Sequence, residues 1–103
     1  MTKENENKTY IVEFSKPFTW EGNEYKNVDL SAIENLTGEQ LCEAYKRLGN
    51  SGVVSALPEQ SPEFASIIAS MVTDIPIEFF KALGAKELYK IKNRVSMYFF
   101  EED

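Results

Sequence analysis

The sequence predicts an α+β domain: a small N-terminal antiparallel β-sheet, made of a hairpin plus one strand, followed by about four packed α-helices. Three observations lead there. Residues 9–28 place apolar side chains at alternate positions and carry a Gly-Asn turn pair, the period and punctuation of paired strands. From Ser31 onward the apolar period lengthens to three and four, and helix-start patterns recur at Ser31, Thr37 and Ser61. The chain has 103 residues and is 43% hydrophobic and 13% aromatic, which suits one domain with a single core.

Residues 1–8 are rich in Lys, Glu and Asn and lack an aromatic side chain, so they are expected as a disordered tail, with a single domain over 9–103. Tyr10, Val12 and Phe14 then share one face of a strand, with Thr9, Ile11 and Glu13 on the other. Ser15-Lys16-Pro17 is expected to break it, because proline has no N–H to give a ladder. Phe18–Trp20 and Glu24–Val28 are expected to pair around Gly22-Asn23, residues that tolerate the positive φ of a hairpin turn. Ser31 with Glu34 matches a capping box and predicts a single helical turn; Thr37 with Gln40 repeats it. Leu41, Ala44, Tyr45 and Leu48 follow at helical spacing, with Gly49 as the expected C-cap. Residues 49–60 read as a loop in which Val53, Val54 and Leu57 pack down. Ser61-Pro62-Glu63 opens the second helix, whose apolar stripe is Phe64, Ile67, Ile68, Met71 and Val72, and which Thr73-Asp74 ends. Pro76 starts a short helix from Ile77 to Leu83, closed by Gly84. The last helix runs from Ala85 to Phe100, with Leu88, Ile91, Val95 and Tyr98 or Phe99 on one face and Tyr89 and Phe100 off it.

The chain has little catalytic vocabulary. It has no histidine, which removes Ser-His-Asp and Cys-His systems, the usual zinc sites and the commonest general base. Cys42 stands alone mid-helix and reads as a small half-buried side chain. One cysteine makes no internal disulfide and fits a reducing compartment. Carboxylate pairs such as Glu39 with Glu43 sit on a helix face where solvent is the simplest partner. Gly49-Asn50-Ser51-Gly52 matches neither a P-loop nor a dinucleotide fingerprint. The expectation is a protein without catalytic, cofactor or metal residues. The net charge is −6, from 17 acidic and 11 scattered basic residues, which argues against nucleic acid as a partner. The mean hydropathy is −0.36, no apolar run approaches the roughly 18 residues of a membrane span, and the polar N-terminus is unlike a secretion signal.

What the sequence has in excess is aromatic and apolar side chains near its C-terminus. Phe79, Phe80, Tyr89, Met97, Tyr98, Phe99 and Phe100 cannot all lie on one helical stripe. Either short helices packed in layers bury them all, or part of the set is a contact surface, since soluble proteins rarely expose a large apolar patch without use. These seven residues are the candidate partner-binding set. A short sheet also leaves an open edge, so Tyr10, Val12 and Phe14 are the candidate self-association edge.

The order of several short pieces adds to this reading: Lys16-Pro17-Phe18, Glu21-Gly22-Asn23-Glu24-Tyr25, Asp29-Leu30-Ser31, Leu36-Thr37-Gly38 and Ile75-Pro76-Ile77-Glu78-Phe79. Together, over roughly residues 10–100, they resemble the small tail assembly chaperones of long-tailed bacteriophages and related prophages. The resemblance implies a non-catalytic protein of the host bacterial cytoplasm, absent from the mature virion. It would bind and solubilise the apolar helices of the tape measure protein while the tail tube assembles. It also implies self-association into a homo-oligomer, and a tail tube protein as a second partner through a longer, frameshifted product. The alternative is a generic acidic protein-interaction adaptor or inhibitor, antitoxin-like, without a tail role. Truncation after Leu88 is expected to abolish client solubilisation and leave the hairpin folded.

Overall fold

The computed structural model describes residues 10–52 and 56–101. Two antiparallel strands, β1 (Ile11–Trp20) and β2 (Asn23–Asp29), form the N-terminal sheet. A 3-10 helix (Ser31–Asn35), α1 (Gly38–Asn50), a second 3-10 helix (Pro58–Gln60), α2 (Pro62–Thr73), α3 (Ile77–Ala82) and α4 (Ala85–Phe100) follow. The α+β class expected from the sequence is the class observed.

The sheet has two strands where a hairpin plus one strand was expected, because β1 is not cut at Ser15-Lys16-Pro17. Val12 pairs with Val28, Glu13 with Asn27 and then Phe18 with Tyr25, so Phe14 to Pro17 bulge opposite Lys26 alone. Pro17 lies in that irregular stretch, where its missing N–H leaves no rung empty. The turn also sits one residue earlier than expected. Trp20 pairs with Asn23, and Glu21 and Gly22 occupy the corner with φ of 51° and 85°. Two successive positive φ values make a type I′ turn, whose twist matches that of the strands.

Side chains set the helix ends. Thr37 accepts from the Gln40 N–H at 3.1 Å while the Gln40 side chain accepts from the Thr37 N–H at 2.9 Å, the expected reciprocal capping box. Ser61 accepts from the Phe64 N–H at 3.0 Å ahead of Pro62. The capping box expected at Ser31 does not form; the Asp29 carboxylate accepts from the Ser31 N–H at 2.9 Å and turns the chain into the 3-10 helix. Helix α1 runs through Gly49 to Asn50, and the left-handed residue beyond it is Gly52, with φ of 86°. Asp74, with φ of 62°, ends α2.

Helix α2 is the axis of the domain. It touches α1, α3, α4 and both 3-10 helices, and Phe64 to Ala69 are buried without interruption. That explains why its burial goes beyond the expected stripe: Ala65, Ser66 and Ala69 are small enough to let neighbours close on the other sides. The buried Ser66 hydroxyl donates to the Pro62 carbonyl at 3.0 Å, so its burial leaves no unsatisfied donor. Val53, Val54 and residues 1–8 lie outside the described residues. Leu57 is 51% exposed rather than packed down, and Cys42 is exposed rather than half-buried.

Candidate partner-binding groove

The seven aromatic and apolar candidates separate into three groups. Phe79 and Phe80 on α3 are 0% exposed, which corrects their assignment to a contact surface. Phe79 sits at the centre of a closed set of rings, edge-on to Phe18, Trp20, Tyr25 and Phe80 with centroids 4.8–5.9 Å away. The outer half of the hairpin lies over α3 as a lid, and ring edges meet ring faces as their quadrupoles favour. Tyr89 and Phe100, off the buried face of α4 as expected, are 58% and 52% exposed. Eleven residues bring a helix back to almost the same azimuth, so these two rings lie on one side of α4, with Ser96 between them. The Lys92 ammonium stands over the Tyr89 ring, 4.5 Å from its centroid.

Met97, Tyr98 and Phe99 are half-buried and pack against the core. Tyr98 and Phe99 form one wall of an open groove of about 310 Å³; Leu36, Thr37, Gly38 and Leu41 form the other, and Glu101 stands at its mouth. The capping box at Thr37 holds that wall, because it fixes where Gly38 and Leu41 enter α1. A second cleft of about 280 Å³, lined by Tyr10, Glu34, Tyr98 and Glu101, adjoins it and shares Tyr98 and Glu101. Beneath the groove a row of rings runs inward: Tyr10 against Tyr98 at 6.3 Å, Tyr98 against Phe99 at 5.1 Å, Phe99 against Phe64 at 5.6 Å and Phe64 against Tyr45 at 5.4 Å. Tyr45 donates from its hydroxyl to the Glu59 carboxylate, and the Ser96 hydroxyl donates to the Glu59 carbonyl at 3.0 Å. Glu59 thus ties α1 to α4. Burial and the bond to Glu59 push the Tyr45 phenol up to about 12. Burial also raises Tyr10, and the charges of Glu101 and Glu34 push it further the same way.

The candidate self-association edge is arranged differently from expectation. Tyr10 and Val12 are 4% and 3% exposed, and the Tyr10 carbonyl accepts from the Leu30 N–H at 2.8 Å. Backbone groups alternate sides along a strand, so Tyr10 and Val12 point their main-chain groups toward β2, and Phe14 lies in the bulge. The outer edge belongs to Ile11, Glu13 and Ser15, and α4 covers part of it. The Glu87 carboxylate accepts from the Ser15 N–H at 2.9 Å, and the Lys90 ammonium donates to the Glu13 carbonyl at 3.0 Å and to the Ser15 hydroxyl at 3.1 Å. Lys90 and Glu87 also pair with each other at 3.0 Å. Charged side chains laid along a strand edge are a familiar guard against edge-to-edge pairing.

The sequence left Leu36, Leu41, Glu34 and Glu101 out of the candidate set. Leu36 and Leu41 do read as apolar residues beside a helix start, but nothing in their spacing places them opposite residues 98–101. Among the described residues no group of three or more His, Cys, Asp or Glu could hold a metal ion, and no helix is long and apolar enough to cross a membrane. Of the protein families, curated proteins and solved structures compared with this chain, none matches it.

Proposed function

We propose that this chain is a phage or prophage tail assembly chaperone, a non-catalytic protein that binds and keeps soluble the apolar helices of a tape measure protein in the bacterial cytoplasm. The observation that carries the proposal is the groove between the start of α1 and the end of α4. It presents Leu36, Leu41, Tyr98 and Phe99 in an open channel, and the adjacent Phe100 is 52% exposed. A channel of this kind suits an amphipathic helix laid in by its apolar face. The net charge of −6 suits a holding protein whose complex must remain in solution. The order of motifs from Lys16-Pro17-Phe18 to Ile75-Pro76-Ile77-Glu78-Phe79 supports the tail role over a general adaptor.

The test is coexpression with the tape measure protein of the same phage genome, scoring its solubility and co-purification. Truncation after Leu88 is unsuitable as the disabling variant, because it removes Ile91 and Val95, both 0% exposed, and the core with them. Leu41→Glu and Phe100→Ser leave those two residues in place. The proposal expects a soluble, co-purifying client with the native chain and an aggregated one with Leu41→Glu. An equally insoluble client with and without the native chain would overturn it.

A further inference from the structure

The cleft beside the groove has a chemistry of its own. Its lining is two tyrosines and two glutamates, Tyr10, Tyr98, Glu34 and Glu101, with no basic residue among them. Both glutamates are exposed and neither makes a salt bridge among the described residues. Tyr10 is 4% exposed, burial and the neighbouring charges act on its hydroxyl, and that hydroxyl makes no hydrogen bond among the described residues. The cleft thus gathers two carboxylates and two phenols and holds no cationic side chain to balance the carboxylates. The Tyr10 and Tyr98 rings, 6.3 Å apart and inclined at 72°, pack edge to face behind it.

We infer that this cleft receives the basic side chain, arginine or lysine, of an amphipathic partner helix whose apolar face lies in the adjoining groove. The inference rests on the groove being the partner surface named above, and it adds the feature by which a partner is selected. Apolar contact alone discriminates poorly among greasy helices. A cation held between the two carboxylates, at the edge of the groove, adds charge-assisted hydrogen bonds and suits the planar guanidinium best. The two sites share Tyr98 and Glu101, so a single helix reaches both.

The test uses the full chain and synthetic helical peptides of about four turns, read by fluorescence anisotropy. Each peptide carries a leucine stripe and one arginine, set one turn beyond either end of the stripe. Each has a twin in which citrulline, neutral and of the same shape, replaces the arginine. A further peptide keeps the arginine and exchanges the leucines for serine. The expected result is that at least one arginine peptide binds about tenfold more tightly than its citrulline twin, within the range of a desolvated charge contact. The preference should shrink to about twofold or less in Glu34→Gln/Glu101→Gln. It should persist in Glu24→Gln/Glu78→Gln, which removes the same charge at the turn end of the hairpin and on α3. Equal binding of arginine and citrulline peptides would overturn the cation site while leaving the groove and the proposed function standing. Retention of the full preference in Glu34→Gln/Glu101→Gln, or equal binding of the leucine-free peptide, would overturn it as general attraction to an acidic protein. Absence of binding by every peptide would overturn both the cation site and the groove, and coexpression would then decide the function separately.

Discussion

The two aromatic clusters of this domain contain similar side chains and end in opposite states. At the turn end of the hairpin, Phe79 is enclosed by Phe18, Trp20, Tyr25 and Phe80 and has no exposed surface. At the far end, the row from Tyr45 through Phe64 and Phe99 to Tyr98 comes out into an open groove. The first cluster has a lid, because β1 and β2 cross over α3. The second lacks one, because α4 extends past the start of α1 and no other described element closes over its last turn. An aromatic surplus is therefore not by itself a surface. What decides is whether a second element has the length and direction to cover it.

The sharpest way to break this comparison is to truncate the enclosed ring of the first cluster and the exposed ring that follows the groove wall in sequence. Phe79→Ala should cost about 3–5 kcal/mol, the usual range for a fully buried Phe, and leave little of a domain stability of about 5–15 kcal/mol. Phe100→Ala should change stability by no more than about 0.5 kcal/mol while reducing client retention. Urea unfolding of both variants measures the difference; comparable losses would mean that the open end is as structural as the closed one.

A smaller effect tests what holds the groove in place. Thr37→Ala removes the capping hydroxyl and should cost about 1 kcal/mol. Because the box positions one wall of the groove, it should also weaken client binding more than Ser61→Ala, which removes a comparable cap from α2. Equal effects on binding would separate the groove from its cap.

The smallest effects are pH-dependent and have opposite signs at the two ends. Burial alone would raise the Glu87 carboxyl, but the Lys90 ammonium and the Ser15 N–H outweigh it and hold the group below its ordinary value. A depressed carboxyl stabilises the fold above its unfolded range and loses that contribution as pH falls through the folded value. The tie between α4 and the edge of β1 should therefore weaken below about pH 4.5, the ordinary value for the group, and Glu87→Gln should flatten that limb of the stability profile. Tyr45 is raised to about 12 by burial and Glu59. Its contribution is complete below the unfolded value of 10 and is lost as pH climbs from there toward 12. Tyr45→Phe should remove this alkaline loss and leave the acid limb unchanged. Urea midpoints across the pH range read both; an acid limb that persists in Glu87→Gln would assign it to other carboxylates.

Local rules carried most of the element assignments. The capping box at Thr37, the Ser61-Pro62 start, the Asp74 stop and the span of α4 follow from short-range hydrogen bonding and from the fixed φ of proline, which depend on neighbours in sequence. Where the reading missed, a local cue was outweighed by a partner. Pro17 did not end β1 because a bulge accommodates it, and Ser31 did not cap because Asp29 reached its N–H first. Glu21, not Asn23, took the second positive-φ position beside Gly22, since the pairing of Trp20 with Asn23 decides the register.

The sequence by itself determined the class of the fold, the order of its helices, its acidic surface and the apolar surplus at its C-terminal end. These are sums over residues or contacts within a few positions, and they do not depend on how the chain closes. Only the tertiary structure decided which part of that surplus stays in water. Phe79 is covered by hairpin rings more than fifty residues away in the chain, whereas Tyr98 and Phe99 face Leu36 and Leu41 across a gap. Burial is settled by area shared between distant elements, and no periodicity along the chain records that distance.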